Sequence, residues 1–349
     1  MEAAPEAVED TESENGSAAE GQKAAADNAQ QTTYRYWVNP TYEGVISQEV
    51  IDSRLEALKA PQVETQEAPK TFTTVKAAGK YLRGQLKQRK TKVTLVLKIN
   101  NSNHDSLWSE VYEEAVKETG VPVEGDYIFG NVLGYGNSWS TGKKDKKTKK
   151  NVNTLCYNIE FAANAAQEKQ ADAAVKAVLK QLNLKKDSDF VKLHKIYNYI
   201  CANVTYDYEG NENHTTLCHS AYAAIVKHKA VCQGYATLLY RMLMECGVPC
   251  RYITSKEHAW NIVKLDGKYY NVDSTWDSEN YHSDQYYEWF LLSDENFAQD
   301  EPDHVREAQY LTKAFKKECP MSRTNGDYHY WDVQSIEKKP YLSGWESGC

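Results

Sequence analysis

Two periodicities organise the chain from about residue 32 onward. Residues 92–99 (KVTLVLKI) alternate polar and apolar side chains, the period-2 pattern of a strand with one buried face. Residues 153–161 (NTLCYNIEF) read the same way. Between them, 106–120 (SLWSEVYEEAVKETG) sets Leu107, Val111, Ala115 and Val116 on one helical stripe, and Gly120 stops it. Clustered aromatics at Tyr34, Tyr36, Trp37 and Tyr42 suit strands or packed loops. Two helices are expected next. One is 163–184, rich in Ala, Lys, Gln and Glu. The other is 187–206, which opens on Asp-Ser-Asp and repeats Phe190, Leu193, Ile196, Tyr197, Ile200 and Val204 at helical spacing. The chain carries no internal repeat.

Residues 231–246 (VCQGYATLLYRMLMEC) predict a further helix, with Ala236, Leu239, Leu243 and Cys246 in register and Gly247 and Pro249 ending it. Cys232 then sits at or near the helix N-terminus, where the partial positive charge favours a thiolate. Gly234 leaves room for a substrate or a neighbouring backbone. After this helix, 258–265 (HAWNIVKL) and 268–275 (KYYNVDST) flank Asp266-Gly267, a type I′ hairpin signal. A two-residue loop pairs Leu265 with Lys268, so His258 faces Thr275 and Trp260 faces Asp273. His258 and Asp273 become diagonal neighbours on one face, roughly 7–8 Å apart between backbones and close enough for their side chains to meet. An imidazole beside a carboxylate is held in one tautomer and stabilised as imidazolium. If that face meets the N-terminus of the Cys232 helix, the set is nucleophile, base and orienter.

Composition narrows the picture. Of the net charge of −8, nearly all lies in residues 1–31, which hold eight acidic side chains against one lysine. That segment lacks aromatics and is expected to be disordered. The rest is close to neutral, so no nucleic-acid partner is expected. The run Lys143–Lys150 (KKDKKTKK) reads as a solvated loop, with a docking patch for an anionic surface as the sharper alternative. The segment begins without a basic region followed by an apolar one, so no signal peptide is expected, and no apolar run reaches the about 18 residues of a membrane span. The eight cysteines form no CxxC pair and no zinc-type grouping with histidines. Cys246 and Cys250, at a helix end and a strand start, are spaced to allow a bridge. The glycine-rich stretch 134–144 fails the P-loop pattern, and 277–284 lacks calcium-loop spacing.

The runs Cys232-Gln-Gly-Tyr-Ala, His258-Ala-Trp-Asn and Asp273-Ser-Thr-Trp-Asp, in that order, resemble the transglutaminase-like superfamily, as do Tyr206-Asp207-Tyr208 and His219-Ser220-Ala221-Tyr222, which resemble its bacterial members. The resemblance covers 187–292. It implies an α+β fold with a papain-like core, in which a helix bearing the cysteine packs on an antiparallel sheet bearing the histidine and aspartate. The expected organisation is a leader at 1–31, a small N-terminal α+β domain at 32–162 and a transglutaminase-like domain at 163–349. The leader resembles the spacer that follows a signal or lipid anchor in bacterial surface proteins. An extracellular or cell-surface location, and a lipid anchor in a longer precursor, are expectations from that likeness.

The resemblance also implies thioester acyl transfer without a cofactor or metal, carried by Cys232, His258 and Asp273. The backbone N–H of Cys232 would serve as one oxyanion donor. Tyr222 and Tyr206 are candidates for the second. Gln233, Trp260 and Trp276 are substrate-site candidates, although the two tryptophans fit packing around the site better. The expected partner is a protein or peptide substrate, with cell-wall peptide among the options. Hydrolysis of an amide or peptide bond is favoured over cross-linking or deamidation. The competing reading is a catalytically weak surface module that binds peptide or glycan, for which 25 Tyr and 8 Trp would supply contact area.

Overall fold

The computed structural model describes residues 32–39, 47–59, 68–100, 106–279, 287–298 and 302–326. The expectation of a disordered leader falls on 1–31 and lies outside them, as does Tyr42.

The N-terminal half builds one mixed sheet. Its strands are β1 (Thr32–Val38), β2 (Lys70–Phe72), β3 (Lys92–Ile99), β4 (Val132–Gly142) and β5 (Asn151–Phe161), in the order β1-β4-β5-β3-β2. Every pair is antiparallel except β2 with β3. The alternation read from 92–99 is realised as inward Val93, Leu95 and Leu97, which are buried with Leu155, Tyr157 and Ile159 of β5. After α1 (Gln48–Lys59), α2 (Val75–Lys87) and α3 (Leu107–Val116) contribute to this core. The stripe of α3 buries Leu107, Val111 and Ala115, with Tyr112 added. The lysine-rich run is the exposed turn between β4 and β5. There Asp145 accepts from the backbone N–H groups of Lys147 and Thr148 and from Lys98 Nζ at 2.7 Å, which fits the solvated-loop reading.

A short helix, α4 (Asp126–Asn131), leads from this half towards the second core. Then α5 (Ala165–Leu182) starts at an Asn164–Gln167 capping box, and α6 (Asp189–Asn203) starts at Ser188. Both are shorter than the sequence spans, because each cap fixes a start two residues inside the expected span and residues Thr205–Tyr206 leave the helix to form β6. Strand β6 pairs with β7 (Lys229–Ala230), and after it comes α7 (Cys232–Glu245), buried along almost its whole length. It packs on a second, antiparallel sheet of β8 (Cys250–Thr254), β9 (Ala259–Leu265), β10 (Lys268–Val272) and β11 (Phe290–Leu292), ordered β11-β10-β9-β8. This arrangement is α+β, with the cysteine helix on an antiparallel sheet as expected.

The two halves are tied by buried polar contacts. Asp126 accepts from Arg251 Nε at 2.7 Å and from the backbone N–H of Tyr252 at 2.9 Å. Gln233 donates to the carbonyl of Gly130 at 2.7 Å. Cys246 and Cys250 are both free thiols, so the bridge their spacing would allow is not formed. Among the described residues, no helix is long and apolar enough to cross a membrane.

Candidate active site

The cysteine helix begins at Cys232 because Val231 is extended (φ −98°, ψ 175°) and its carbonyl accepts from Gly234 and Tyr235. Val231 has no side-chain acceptor to cap the first turn, so Cys232 sits at a positive helix end without a competing cap. Glycine is required at 234 by backbone: a Cβ there would lie 2.8 Å from Ala230 Cβ and 2.9 Å from the carbonyl oxygens of Cys218 and Ser220. The room is taken by neighbouring chain and not by a substrate.

The hairpin forms with the expected register from Leu265↔Lys268 to Asn261↔Val272. Asp266 and Gly267 have φ of 48° and 84°, as a type I′ turn needs. The pairing then ends, and Asp273 is not opposite Trp260 nor Thr275 opposite His258. Instead Asp273 caps the helix α8 (Ser274–Glu279), with Oδ1 accepting from the backbone N–H of Thr275 at 2.9 Å and of Trp276 at 3.4 Å. Its own N–H donates to the Trp289 carbonyl.

The imidazole and carboxylate still meet. His258 Nε2 lies 2.6 Å from Asp273 Oδ2, with both residues buried. A turn in which Ser255 Oγ accepts from the His258 N–H holds the histidine at the mouth of β9. Burial works against charge on His258, yet the Asp273 carboxylate, its hydrogen bond and the neighbouring Cys232 thiol push it up to about 10. For Asp273, burial opposes ionisation, but His258 and then His304 hold the carboxyl well below the usual range. Because Nε2 is committed to Asp273, Nδ1 is the ring nitrogen left to exchange a proton with Cys232, whose proximity helps to raise the histidine. Asn261, from the His-Ala-Trp-Asn run, donates to the Ala236 carbonyl at 3.0 Å and so pins α7 to β9. The array can hold an imidazolium near a thiol and fix the orientation of the ring from behind.

The remaining candidates separate. Trp276 lies against the ring of His258, 5.6 Å between centroids, and stays partly exposed. Trp260 is 1% exposed and donates Nε1–H to Asn271, so it packs beneath the site and does not face a substrate. Gln233 is fully buried, with its amide directed to His219 and Gly130, which removes it from substrate contact. Tyr222 packs into the main core, and Tyr206 lies tilted against Tyr208 at 4.8 Å between centroids.

Two residues carry roles that the sequence did not reveal. Asp277, the second aspartate of the Asp-Ser-Thr-Trp-Asp run, accepts from Tyr197 Oη at 2.5 Å and from the backbone N–H groups of Glu288 and Trp289. Burial pushes it up to about 7. His304 puts Nε2 3.1 Å from Asp273 Oδ2. It lies 31 residues beyond Asp273 in the chain, in a stretch without helical or strand periodicity, so no local signal marks it. Donor atoms of His258, Asp273 and His304 all lie within 4.8 Å of one another. A zinc ion bound at about 2.0–2.1 Å would keep its tetrahedral donors roughly 3.3 Å apart. The 2.6 Å His258–Asp273 pair is closer than that and is a hydrogen bond.

Residues 176–274 match the family model described as the transglutaminase-like superfamily. This segment resembles a transglutaminase-like domain. It contains Cys232, His258 and Asp273 and stops short of His304. Two curated relatives are both called kyphoscoliosis peptidase. The mouse protein is 32% identical over 107 residues, covering 26% of this chain and 16% of that one. The human protein is 25% identical over 150 residues, covering 38% and 23%. The match therefore spans less than a quarter of either relative's length. A solved structure described as "Crystal structure of a TGase" aligns over 60% of each chain at 14% identity, with a TM-score of 0.27, too low to bear on the fold.

Proposed function

We propose that this protein is a cysteine-dependent acyl-transfer enzyme that hydrolyses an amide or peptide bond through Cys232, His258 and Asp273. The observation that carries the reading is the 2.6 Å contact between His258 Nε2 and Asp273 Oδ2, with Cys232 at a helix N-terminus close enough to the same imidazole to help raise it. In this reading the Cys232 sulfur attacks the substrate carbonyl carbon and a C–S bond forms. The developing oxyanion is met by the Cys232 backbone N–H and a second donor, for which Tyr222 and Tyr206 are the proposals. His258 gives its proton to the leaving nitrogen, the C–N bond breaks, and a thioester remains. His258 then takes a proton from water, the water oxygen bonds to the thioester carbon, and the C–S bond breaks to release the carboxylic acid product and the Cys232 thiolate beside a reprotonated His258.

The peptidase name of the two relatives favours water as the acceptor over an amine. A protein or peptide is accordingly the proposed substrate. The acidic leader favours a surface location, which fractionation of the native cells tests. The reaction itself is tested by incubating the protein with a denatured protein mixture and an added primary amine, and reading products by mass spectrometry. New chain termini, absent with Cys232→Ala, support hydrolysis. Deamidated glutamine or amine adducts in their place would move the assignment to the other branches of acyl transfer. No product in any class would favour the binding module.

A further inference from the structure

We infer that His304 is a positioning residue of this site, an imidazolium with protons on both ring nitrogens that grips the Asp273 carboxylate from the side away from His258. The inference rests on the proposed acyl-transfer reading for its catalytic meaning, but not for its geometry. His304 Nδ1 lies 3.2 Å from the carbonyl oxygen of Phe297, and Nε2 lies 3.1 Å from Asp273 Oδ2. A carbonyl oxygen can only accept. Asp273 Oδ2 also receives His258 at 2.6 Å, and Oδ1 receives two backbone N–H groups, so donors converge on both oxygens and the group is a carboxylate. A neutral imidazole has one N–H. It would satisfy one of these two oxygens and turn a lone pair on the other, at a side chain with no exposed surface. Two protons satisfy both.

The surroundings fit a cation. Four aromatic rings enclose His304: Phe297 at 3.9 Å between centroids, Trp276 at 4.4 Å, Trp289 at 4.8 Å and Trp260 at 5.5 Å. Phe297 stacks on the ring, and an aromatic face at that distance attracts positive charge. Among the described residues, the charged or titratable groups facing His304 are Asp273 at the end of β10 and His258 at the start of β9, with Asp277 one helical turn further along α8. Arg306, two residues on, turns its guanidinium to Asn271 and Asp294. The positive ring also balances the buried charge: with Cys232 ionised and His258 protonated, Asp273 would otherwise leave the site net negative. Removing it makes the site harder to charge negatively, so the pH at which Cys232 becomes reactive should rise.

The decisive readout is the ring-nitrogen spectrum of 15N-histidine-labelled wild-type protein at pH 7.5. His304 is assigned through its contacts with the Phe297 and Trp276 rings. Both nitrogens in the protonated form are expected, and one bare nitrogen overturns the inference. As a second test, His304→Gln keeps a donor for Asp273 but no charge. Its midpoint for alkylation of Cys232 should move up by about one unit with the final rate retained, whereas a residue that only filled space would leave the midpoint in place. A midpoint that does not move contradicts the inference. Wild-type protein in which Cys232 shows no selective reactivity would instead overturn the acyl-transfer reading, and the nitrogen spectrum would still decide the state of His304.

Discussion

Replacing Asp273 by asparagine tests how much of the site depends on one buried carboxylate. Its two oxygens accept from four donors: His258 at 2.6 Å, His304 at 3.1 Å and the backbone N–H groups of Thr275 and Trp276 at 2.9 and 3.4 Å. An asparagine has one accepting oxygen and one NH2 group. Whichever way it turns, two N–H donors face an N–H donor. Two charge-assisted bonds worth about 1.5–3 kcal/mol each are lost or inverted, so a loss of about 3–5 kcal/mol in stability is expected by urea denaturation. The chemical effect follows from His258. Asp273 holds it up to about 10, charged across neutral pH. Without the carboxylate it returns toward the ordinary value of about 6.5 and is mostly neutral at pH 7.5. An unassisted thiol ionises near about 8.5 and is only about one-tenth thiolate at that pH. Alkylation of Cys232 by iodoacetamide at pH 7.5 should therefore slow by about tenfold in Asp273→Asn. A folded variant whose rate stays within twofold of wild type would refute this reasoning.

Three further perturbations read other parts of the account. Gly234→Ala forces a methyl into the carbonyls of Cys218 and Ser220 and into Ala230; it should cost about 1–3 kcal/mol by urea denaturation and slow Cys232 alkylation by displacing the helix start. Asp126→Ala leaves the half-buried Arg251 without its 2.7 Å partner and the Tyr252 N–H without an acceptor, and a loss of about 3–5 kcal/mol is expected by the same assay. Asp277 is pushed up to about 7 by burial, above its unfolded value of about 3.9, so the folded state binds its proton more tightly and stability declines as pH rises between those values. Asp277→Asn keeps an acceptor for the Glu288 and Trp289 amides, so its melting temperature relative to wild type should climb between pH 4 and pH 7.5, and a flat difference would contradict the assignment.

The hairpin was legible because Asp-Gly and strand alternation both act within a few residues, and its register holds down to Asn261 and Val272. It fails one residue later because Asp273 is also a helix cap, and an N-cap aspartate outweighs one more pair of strand residues. The juxtaposition of His258 and Asp273 survived because both lie near the end of a pairing that was read correctly. Cys232 was legible from the helix stop signals at Gly247 and Pro249 read backwards to the helix start. Long-range contacts were not legible. Gln233 reaches Gly130 across 103 positions, and His304 reaches Asp273 across 31, with no periodic pattern to announce either. Trp260 was a substrate-site candidate that fitted packing better, and packing is what it does: its strand is central in the sheet and the side chain is buried.

The central claim is that Cys232 is an armed nucleophile, and the most direct measurement is its alkylation rate against those of the other seven cysteines, across pH, by peptide mass spectrometry. Burial pushes the thiols of Cys201, Cys218, Cys246, Cys250 and Cys319 up, which sets a quiet background. Selective modification of Cys232 at pH 6–7.5, slowed by about tenfold or more in His258→Ala, is the result expected. Modification of Cys232 no faster than the rest, or indifferent to His258, would contradict it.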